Sequence, residues 1–356
     1  MAGKSGMRMR SVRTAGVGVV ETVRVPRPTA GPRDAVVRVR ACGICGTDVT
    51  FLHMGGFPTR AHAGGELRPI VLGHEPAGEV VEVGAEVADL KVGDRVVVNP
   101  QSGNSGIIGC GGAQGGMNEY LLIEDVVVGK SVATFPDSVP FDVASLNEPM
   151  AVALHAVNRS GAQPSDKAIV FGAGPIGLGA TIWLKLRGVG HVVVADVIPE
   201  RLEKALEVGA DAVINSAAED VTARLKELHG TGANALGQPA AGTDIYIDAA
   251  GVPAVINTTV ASAKWHAKLV MVAVQKPTDK LDLGGMLRSE LTLIASQGYP
   301  TEIFEVTPQL VEHQERFARI ISHRVPYSEV DRAFALALTP GAADKVIVTL
   351  DETDAG

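Results

Sequence analysis

Residues 168–177 read Ala-Ile-Val-Phe-Gly-Ala-Gly-Pro-Ile-Gly, and this stretch decides the fold of the central part of the chain. Its four leading apolar residues predict a short buried strand, and the apolar run that continues to residue 186 predicts a helix. Between them lies the spacing G-x-G-x-x-G, formed by Gly172, Gly174 and Gly177. A chain with 41 glycines contains such spacings by chance. A spacing that joins a strand directly to a helix, however, is typical of dinucleotide binding.

Each residue of this turn has a predicted role towards the cofactor. Gly172 permits the tight turn, Gly174 lets the backbone approach a pyrophosphate, and Gly177 lets the helix pack on the strand. The helix then begins with Pro175 and Ile176, where unpaired N–H groups and the positive end of the helix dipole face the phosphates.

Asp196 ends the second predicted strand, nineteen positions after Gly177. A carboxylate there binds the adenosine ribose hydroxyls and repels the extra phosphate of NADP, so we expect NAD as the cofactor. Arg201, one helical turn further, is within reach of the same ribose, and Val274, at the end of a later strand, completes the expected contacts. NADP in place of NAD, and a glycine turn without any nucleotide, are the alternatives.

Alternating strands and helices continue outward from this turn as far as residue 298. Strands are predicted at 168–171, 191–195, 212–214, 244–247, 268–274 and 291–294, and helices at 175–186 and 199–208. Near-continuous apolar runs separated by helices predict a parallel sheet covered on both faces. The predicted fold class is therefore α/β, with a Rossmann doubly wound parallel sheet.

The sequence before this region consists of short segments rich in valine and isoleucine, separated by glycine turns, which predicts a β-rich domain. Strands are expected at 36–39, 78–83, 95–98 and 119–123, a loop at 103–116, and the start of a helix at 147–157. After about residue 299 the pattern becomes mixed again. We therefore expect a catalytic domain at 1–157, a dinucleotide-binding domain at 158–298, and a return to the catalytic domain at 299–356.

Composition narrows the class of protein. The net charge of −8 argues against a nucleic-acid partner, and no apolar run approaches the roughly 20 residues that span a bilayer. The basic N-terminus lacks the apolar segment of a signal peptide. The three cysteines, Cys42, Cys45 and Cys110, cannot form a disulfide framework. Together these features favour a cytoplasmic protein whose reduced thiols are free to bind metal.

Potential metal ligands occur in three short motifs. Residues 42–48 read Cys-Gly-Ile-Cys-Gly-Thr-Asp, residues 73–75 read Gly-His-Glu, and residues 147–149 read Asn-Glu-Pro. Thiolate, imidazole and carboxylate are the ligand types that zinc accepts. Each residue taken alone is ambiguous, because a lone cysteine is usually part of a core and a lone histidine is usually a hydrogen-bonded structural residue.

In these motifs the sequence resembles the zinc-dependent medium-chain dehydrogenases of the alcohol dehydrogenase superfamily, and more narrowly their sorbitol/butanediol dehydrogenase-like branch. The resemblance extends from about residue 12 to residue 350. Four motifs occur in the family's order, namely G-I-C-G-T-D, G-H-E, E-P-x-A-V-A-x-H-A and G-A-G-P-I-G. It implies a GroES-like catalytic domain into which the Rossmann domain is inserted, and a homodimer or homotetramer.

The resemblance also implies which residues hold the catalytic zinc. Cys45 and His74 are the first two ligands, and Glu75 and Glu148 are almost equal candidates for the third. Asp48 is expected to hold the His74 imidazole and fix its tautomer. Catalysis would depend on these ligands.

Other residues of the same motifs receive roles through the resemblance. Thr47 is expected to accept the alcohol proton, while Thr50 stands where many zinc alcohol dehydrogenases carry a histidine. Cys42 occupies a position without a ligand role and is interpreted as structural. Many members hold a second, structural zinc with four cysteines, but here that region contains only Cys110. We therefore expect one catalytic zinc per chain and no structural zinc.

The implied activity is hydride transfer between NAD and an alcohol/carbonyl pair, most simply a secondary alcohol and its ketone. Sorbitol-like members carry arginine where this chain has Gly298, before Tyr299, so a sugar alcohol is a weaker alternative. A zinc-free quinone or enoyl reductase of the same fold, and a nucleotide-binding protein without activity, are the rival hypotheses. Candidate pocket residues are Thr50, Phe51, Phe57 and Met117.

Overall fold

The computed structural model describes residues 6–58, 67–277 and 281–350. The chain divides into two compact units. Unit 1 comprises Met1–Glu148, Thr307–Gln314 and Ile321–Gly356, and unit 2 comprises Pro149–Val306 and Glu315–Ile320. The sequence prediction placed the two boundaries after residues 157 and 298. Most of the helix at 147–160 instead lies in unit 2, where the Trp183 indole N–H donates a 3.0 Å hydrogen bond to the Met150 carbonyl.

The strands, in chain order, are β1 (Arg8–Gly16), β2 (Val19–Pro26), β3 (Ala35–Gly43), β4 (Phe57–Pro58), β5 (Leu67–Arg68), β6 (Glu75–Val83), β7 (Arg95–Val98), β8 (Tyr120–Ile123), β9 (Val132–Thr134), β10 (Lys167–Phe171), β11 (His191–Asp196), β12 (Ala212–Asn215), β13 (Thr231–Ala233), β14 (Pro239–Ala241), β15 (Ile245–Asp248), β16 (Lys268–Met271), β17 (Thr292–Ala295), β18 (Ile321–Pro326) and β19 (Lys345–Thr349). The helices are α1 (Gly46–Met54), α2 (Phe141–Ala144), α3 (Asn147–Ser160), α4 (Pro175–Leu186), α5 (Pro199–Glu207), α6 (Val221–His229), α7 (Pro253–Ser262), α8 (Leu283–Ser289), α9 (Val306–Glu312), α10 (Gln314–Ala318) and α11 (Val330–Leu338).

Unit 2 is built on a six-stranded parallel sheet in the order β12-β11-β10-β15-β16-β17. The strand order reverses between β10 and β15, so the carboxyl ends of these two strands form the switch point at which such sheets bind ligands. Strands β10, β11 and β15 are almost fully buried, as their continuous apolar sequences require. The predicted α/β doubly wound sheet is confirmed.

Unit 1 is built on a seven-stranded sheet in the order β18-β19-β3-β6-β7-β9, with β8 paired to β3. All of these pairs are antiparallel except β18 with β19. Its core is formed by alternate valines of the central strands together with apolar residues of the loops and helices, including Val37, Val39, Leu72, Leu121 and Phe334. This β-rich unit places the ends of β3, β6 and β19 side by side.

The glycine-rich segment 103–116 contains turns and bends but no helix or strand, as predicted. Strand 268–274 was predicted too long, since β16 ends at Met271. The backbone then bends, and the N–H groups of residues 272 and 273 donate to the Asp248 carbonyl. Among the described residues, no helix is long and apolar enough to cross a membrane.

Candidate functional site

Three strands of unit 1 converge on one point. In the β3–β6 register Gly43 lies opposite Glu75, and in the β3–β19 register it lies opposite Ile347. A Cβ atom on Gly43 would lie 1.8 Å from a Glu75 carboxylate oxygen, so only glycine leaves room for that side chain. Directly after β3 the chain turns into α1, whose N-cap residue is Cys45. The sheet therefore brings Cys45 beside the pair His74–Glu75, although they are distant in sequence.

Cys45, His74 and Glu75 form the candidate metal site. One ligand atom from each lies within 4.8 Å of the other two. His74 and Glu75 are buried, with 5% and 1% of their surface exposed, while Cys45 is half-buried. Within the described ranges this is the one such group of histidine, cysteine and carboxylate residues. The structure thus brings together Cys45 and His74, the first two ligands that the resemblance implied. It adds Glu75, which was one of two candidates for the third ligand.

Asp48 anchors the backbone on both sides of the site. Its carboxylate accepts hydrogen bonds from the N–H of Cys45 at 3.0 Å and from the N–H of Gly73 at 2.9 Å. The distance from its Oδ1 to His74 Nδ1 is 3.8 Å, which is too long for a hydrogen bond and corresponds to a charge contact. In this structure, therefore, Asp48 acts on the imidazole through its charge and through the backbone that it holds.

Lys345 is a site residue that the sequence analysis missed. Its ammonium forms an ion pair with the Glu75 carboxylate and donates to the Ile44 carbonyl at 3.0 Å. Both side chains of the pair are almost completely buried. Burial alone would lower the pKa of Lys345, but the charges of Glu75 and Cys45 outweigh it and raise that pKa. Nothing local marks this lysine, because its partners lie about 300 positions earlier in the chain.

The electrostatics of the cluster fit a divalent cation. Burial alone would lower the pKa of His74, but the Asp48 carboxylate and the Cys45 sulfur raise it well above its usual value. His74 Nδ1 and the Oε1 oxygen of Glu75 are buried without a hydrogen-bond partner, whereas Oε2 of Glu75 faces the Lys345 ammonium. Buried polar atoms without partners are costly, and a sulfur, an imidazole nitrogen and a carboxylate oxygen are the donor set of zinc. The residues present therefore fit the ion that the motifs imply.

The remaining residues predicted for this site lie outside the cluster. Glu148, in the first turn of α3, is buried but does not belong to the mutually close group, although its charge acts on Lys345. Thr47 is half-buried on the first turn of α1. Thr50 is exposed, and its hydroxyl donates to the Gly46 carbonyl at 2.9 Å.

Two other side chains belong to the core of unit 1. Cys42 is fully buried, and burial raises the pKa of its thiol, so an inert structural role fits its surroundings. Met117, a candidate pocket residue, is also fully buried. Its carbonyl accepts a 2.9 Å hydrogen bond from the Tyr327 hydroxyl. Met117 is therefore a core residue and exposes no side-chain surface to a pocket.

In unit 2 the turn between β10 and α4 is shaped by three glycines, Gly172, Gly174 and Gly177. Gly172 has φ +93°, a conformation that favours glycine, and a Cβ atom on Gly177 would lie 1.7 Å from the Gly172 carbonyl oxygen. A Cβ atom on Gly174, by contrast, would meet nothing within 4 Å. Gly174 is also the N-cap of α4, with Pro175 and Ile176 opening the helix. Two glycines are thus required by the fold, and the third leaves open space where a ligand would approach.

Asp196, at the end of β11, holds the glycine turn and the residues that follow it in the chain through its carboxylate. One of its oxygens accepts from the N–H of Ala173 at 2.7 Å, and the other accepts from the N–H groups of Val197 and Ile198 at 2.7 and 3.0 Å. A carboxylate offers about four acceptor positions, so one is left for a ribose hydroxyl. Arg201 lies on α5, in the helix that follows.

The switch point is completed from β15 and from the end of β16. Asp248, which the sequence analysis missed, is fully buried and accepts from the N–H groups of Ala250 and Gly251 at 3.0 and 2.8 Å. Gln275 donates to its other oxygen at 2.9 Å. Val274 is 90% exposed, and its carbonyl lies close against Gly251. Apart from Arg201 on α5, the predicted cofactor residues and Asp248 lie at or just after the carboxyl ends of strands of this sheet.

Comparison with known protein families gives a match for each of the two units. Residues 31–132 match the family model described as alcohol dehydrogenase GroES-like domain, and residues 175–313 match the one described as zinc-binding dehydrogenase. The chain is 33% identical over 305 residues to (R,R)-butanediol dehydrogenase of Bacillus subtilis strain 168, covering 81% of this chain and 84% of that protein. The chain belongs to the zinc-dependent medium-chain dehydrogenases.

Solved structures of this family superpose closely on the chain. The crystal structure of 2R,3R-butanediol dehydrogenase from Bacillus subtilis matches with a TM-score of 0.83 and 28% identity, over 96% of this chain and all of that one. A zinc-binding dehydrogenase from Sinorhizobium meliloti 1021 was solved with NADP, and an alcohol dehydrogenase from E. coli CFT073 with NADH. Both have a TM-score of 0.80, at 28% and 26% identity, and cover 96% and 97% of this chain and 99% and 100% of their own. The predicted family and fold are confirmed.

Proposed function

We propose that this medium-chain dehydrogenase oxidises a secondary alcohol to its ketone, with NAD as the hydride acceptor, and also catalyses the reverse reaction. The observation that carries the proposal is the buried group of Cys45, His74 and Glu75. A zinc-free quinone or enoyl reductase of the same fold has no use for three buried ligands at one point. A protein without activity has no use for them either.

Cys45 and His74 would hold a zinc ion, with Glu75 as the third ligand that the geometry favours and Glu148 as the other candidate. When bound, zinc would supply Lewis acidity that lowers the pKa of an alcohol oxygen. Lys345 holds one carboxylate oxygen of Glu75 and leaves the other for the ion. The contribution of these residues is to fix the donor atoms before any ligand arrives.

Proton transfer is assigned to Thr47. Its hydroxyl lies two residues after Cys45, at the half-buried start of α1. A hydroxyl accepts a proton and donates its own in the same step, which suits a relay towards solvent. The reaction converts the alcohol and NAD⁺ into the ketone, NADH and one proton, and Thr47 would receive that proton from the alcohol oxygen. The exposed Thr50 has no part in this proposal.

NAD is proposed over NADP because of Asp196. Its charge lies where the ribose 2′-position of a dinucleotide on this turn is expected, and a phosphate there would meet a carboxylate. The Gly172–Gly177 turn and the start of α4 would bind the pyrophosphate through backbone N–H groups. Arg201 and Val274 are proposed to line the adenosine and nicotinamide portions respectively.

The proposed substrate class is drawn from two aromatic residues on and just after α1, the helix that follows Cys45. Phe51 and Phe57 pack with ring centroids 5.5 Å apart, and α1 carries Phe51 on the helix that Cys45 begins. These rings favour an apolar substituent on the alcohol. A polyol is the second candidate, since the similar protein from Bacillus subtilis is named for a diol whose hydroxyls are both secondary. The lack of an arginine before Tyr299 weighs against longer sugar alcohols.

We also propose that the chain acts as a homodimer or homotetramer in the cytoplasm, without nucleic-acid or membrane partners. Strand β17 lies at the edge of the parallel sheet, and its Leu293 is exposed. An unpaired edge with an exposed leucine is suited to pairing with a second copy.

The test measures NADH formation by purified, zinc-supplied protein with NAD and a panel of primary, aromatic, cyclic and secondary alcohols, diols and sugar alcohols. We expect turnover to concentrate on secondary alcohols or short diols. Cys45→Ser should abolish it, because a serine hydroxyl is a poor zinc ligand, whereas Cys42→Ala, in the core, serves as the matched control and should retain it. Full turnover by Cys45→Ser would refute the assignment.

A further inference from the structure

Two loops of unit 2 are joined by a side-chain link at the carboxyl ends of β15 and β16. Asp248, the last residue of β15, binds its own loop with one carboxylate oxygen, Oδ1, which accepts from the N–H groups of Ala250 and Gly251. The other oxygen, Oδ2, accepts a 2.9 Å hydrogen bond from the side-chain amide of Gln275, in the loop after β16. One buried carboxylate therefore holds both loops.

Backbone contacts hold the same two loops together. The Asp248 carbonyl accepts from the N–H groups of residues 272 and 273 at 3.0 and 3.1 Å. Gly251 has φ +67°, and a Cβ atom there would lie 2.3 Å from the Val274 carbonyl oxygen. Only glycine permits this close approach in that conformation. The loop after β16 is thus fixed relative to the loop after β15 by backbone and side chain together.

The amide of the half-buried Gln275 has one orientation. Its nitrogen, Nε2, donates to Asp248 and also to the Ala273 carbonyl at 3.2 Å, so both of its hydrogens are used. Because both partners only accept, a reversed amide would place oxygen against oxygen. The amide oxygen, Oε1, is buried without a hydrogen-bond partner among the described residues. An unpaired buried acceptor costs free energy, so the main effect of Gln275 is on the geometry of the loops.

The linked loops lie directly against the glycine turn that is proposed to bind the pyrophosphate. The N–H of Ala249 donates to the Phe171 carbonyl at 2.9 Å, and a Cβ atom on Gly172 would lie 3.1 Å from the Ala249 carbonyl oxygen. Strands β11 and β15 flank β10, so Asp196, at the end of β11, lies on the other side of this turn. A dinucleotide that crosses the switch point with its adenosine over β11 therefore extends its nicotinamide half over β15 and β16.

We propose that Asp248 and Gln275 are positioning residues for the nicotinamide half of the cofactor, an inference that rests on the proposed function. They fix the loops after β15 and β16 before the cofactor arrives, so nicotinamide binding has little backbone left to order. Without the Gln275 amide the loop after β16 is freer, and part of the binding free energy is used to order it. The loss should be confined to ligands that carry nicotinamide.

The experiment compares NADH with ADP-ribose, which shares the adenosine, the pyrophosphate and the second ribose but has no nicotinamide. The Kd of each ligand is measured by calorimetry on the full-length wild type and on variants. Gln275→Leu removes the amide, and Gln275→Glu keeps the side-chain length but replaces the donor by acceptors. Gln163→Leu is the matched control. Its amide donates to the Gly161 carbonyl at 3.0 Å in the same unit, but before β10, at the amino end of the sheet.

We expect both Gln275 variants to raise the Kd for NADH about tenfold and to leave the Kd for ADP-ribose within about twofold of the wild type. Gln163→Leu should change neither value. Equal losses for the two ligands would indicate a general effect on the fold and would overturn the inference, while leaving the proposed function intact.

Two other results would also overturn the inference alone. One is an unchanged Kd for NADH in either Gln275 variant, and the other is the same selective loss in Gln163→Leu. A wild-type protein that binds neither NADH nor ADP-ribose would instead refute the proposed function, and the inference with it.

Discussion

The candidate metal site of unit 1 and the proposed dinucleotide turn of unit 2 are built by opposite means. The turn is specified by backbone, since Gly172, Gly174 and Gly177 create space and direct N–H groups. The metal site is specified by buried charge, with Glu75 and Lys345 paired in the core. The turn should therefore be most sensitive to changes of volume at its glycines, and the metal site to changes of charge at Glu75 and Lys345. This difference between the turn and the metal site predicts which substitutions will reduce stability or ligand binding in each unit.

Gly177→Ala is expected to affect both stability and NADH binding, because the added methyl group would lie 1.7 Å from the Gly172 carbonyl oxygen. Overpacking against backbone costs about 1–3 kcal/mol or more, so Tm should fall by several degrees and NADH binding should be lost. Gly174→Ala is the matched control, since its methyl group meets nothing within 4 Å. It should keep the Tm but weaken NADH binding, measured by fluorescence titration. Equal Tm losses in the two variants would contradict the division of roles among the glycines.

Lys345→Met tests whether charge specifies the metal site. Breaking a buried ion pair costs about 3–5 kcal/mol, and here it leaves the Glu75 carboxylate buried without its cation. We expect a loss of this size in the free energy of unfolding after treatment with a chelator, and a smaller loss with zinc bound. Lys91→Met removes an ion pair whose lysine is 82% exposed, and it should cost less than about 1 kcal/mol. Similar losses for both lysines would show that burial of the pair is unimportant.

Asp196→Asn tests whether a negative charge beside the dinucleotide turn determines the preference for NAD over NADP. The amide keeps one oxygen as an acceptor for the loop but removes the repulsion of a 2′-phosphate. We expect kcat/KM with NADP to rise relative to that with NAD by about tenfold, or roughly 1.4 kcal/mol. The Arg201→Gln variant, which lowers positive charge nearby, should move the ratio in the opposite direction. An unchanged ratio of the two kcat/KM values in Asp196→Asn would contradict the claim that the charge of Asp196 selects NAD over NADP.

Two buried histidines, one in each unit, have opposite surroundings. His74 lies among anionic groups that raise its pKa, whereas burial and the neighbouring His191 and Lys167 lower the pKa of His229 to about 4. The Asp244 carboxylate raises that pKa and Lys264 lowers it, but neither reverses the balance. In the unfolded chain His229 titrates near 6.5. The unfolded state therefore binds more protons between about pH 6.5 and 4, and stability falls as the pH falls through that window.

His229→Gln removes this titration. The wild type should lose at most about 1.4 kcal/mol per pH unit more than the variant in that window, as read from urea unfolding at a series of pH values. The glutamine can keep the hydrogen bond that joins His229 to the Thr243 hydroxyl at 2.7 Å. Parallel pH profiles for the two proteins would mean that His229 is protonated as readily when folded as when unfolded.

The sequence predicted the dinucleotide turn well because its signals are local. A strand, a glycine turn and a helix follow one another within residues 167–186, and α4 begins and ends at the predicted residues. Helix α7 was missed because its core sequence, Val-Ile-Asn-Thr-Thr-Val, is rich in β-branched residues that favour strands. Burial between the sheet and its neighbours overrides that preference.

The residues that meet at the candidate metal site could be named from the sequence only in part. Cys45, His74 and Glu75 could be named from motifs, but the choice among carboxylates depends on the β3–β6 register, which places Glu75 beside Gly43. Lys345 reaches the site through the pairing of β19 with β3, which no sequence pattern encodes. Sequence periodicity predicts helices and strands, but it does not predict a contact between two single residues that are distant in the chain.

The most direct test of the account measures zinc per chain and turnover on the same dialysed sample. The account predicts one zinc per chain, loss of turnover in step with removal of zinc by a chelator, and recovery of both when zinc is restored. Zinc-free protein that still reduces NAD with a secondary alcohol would contradict the central claim. A content of two zinc ions per chain would contradict the prediction that the glycine-rich lobe holds no structural metal.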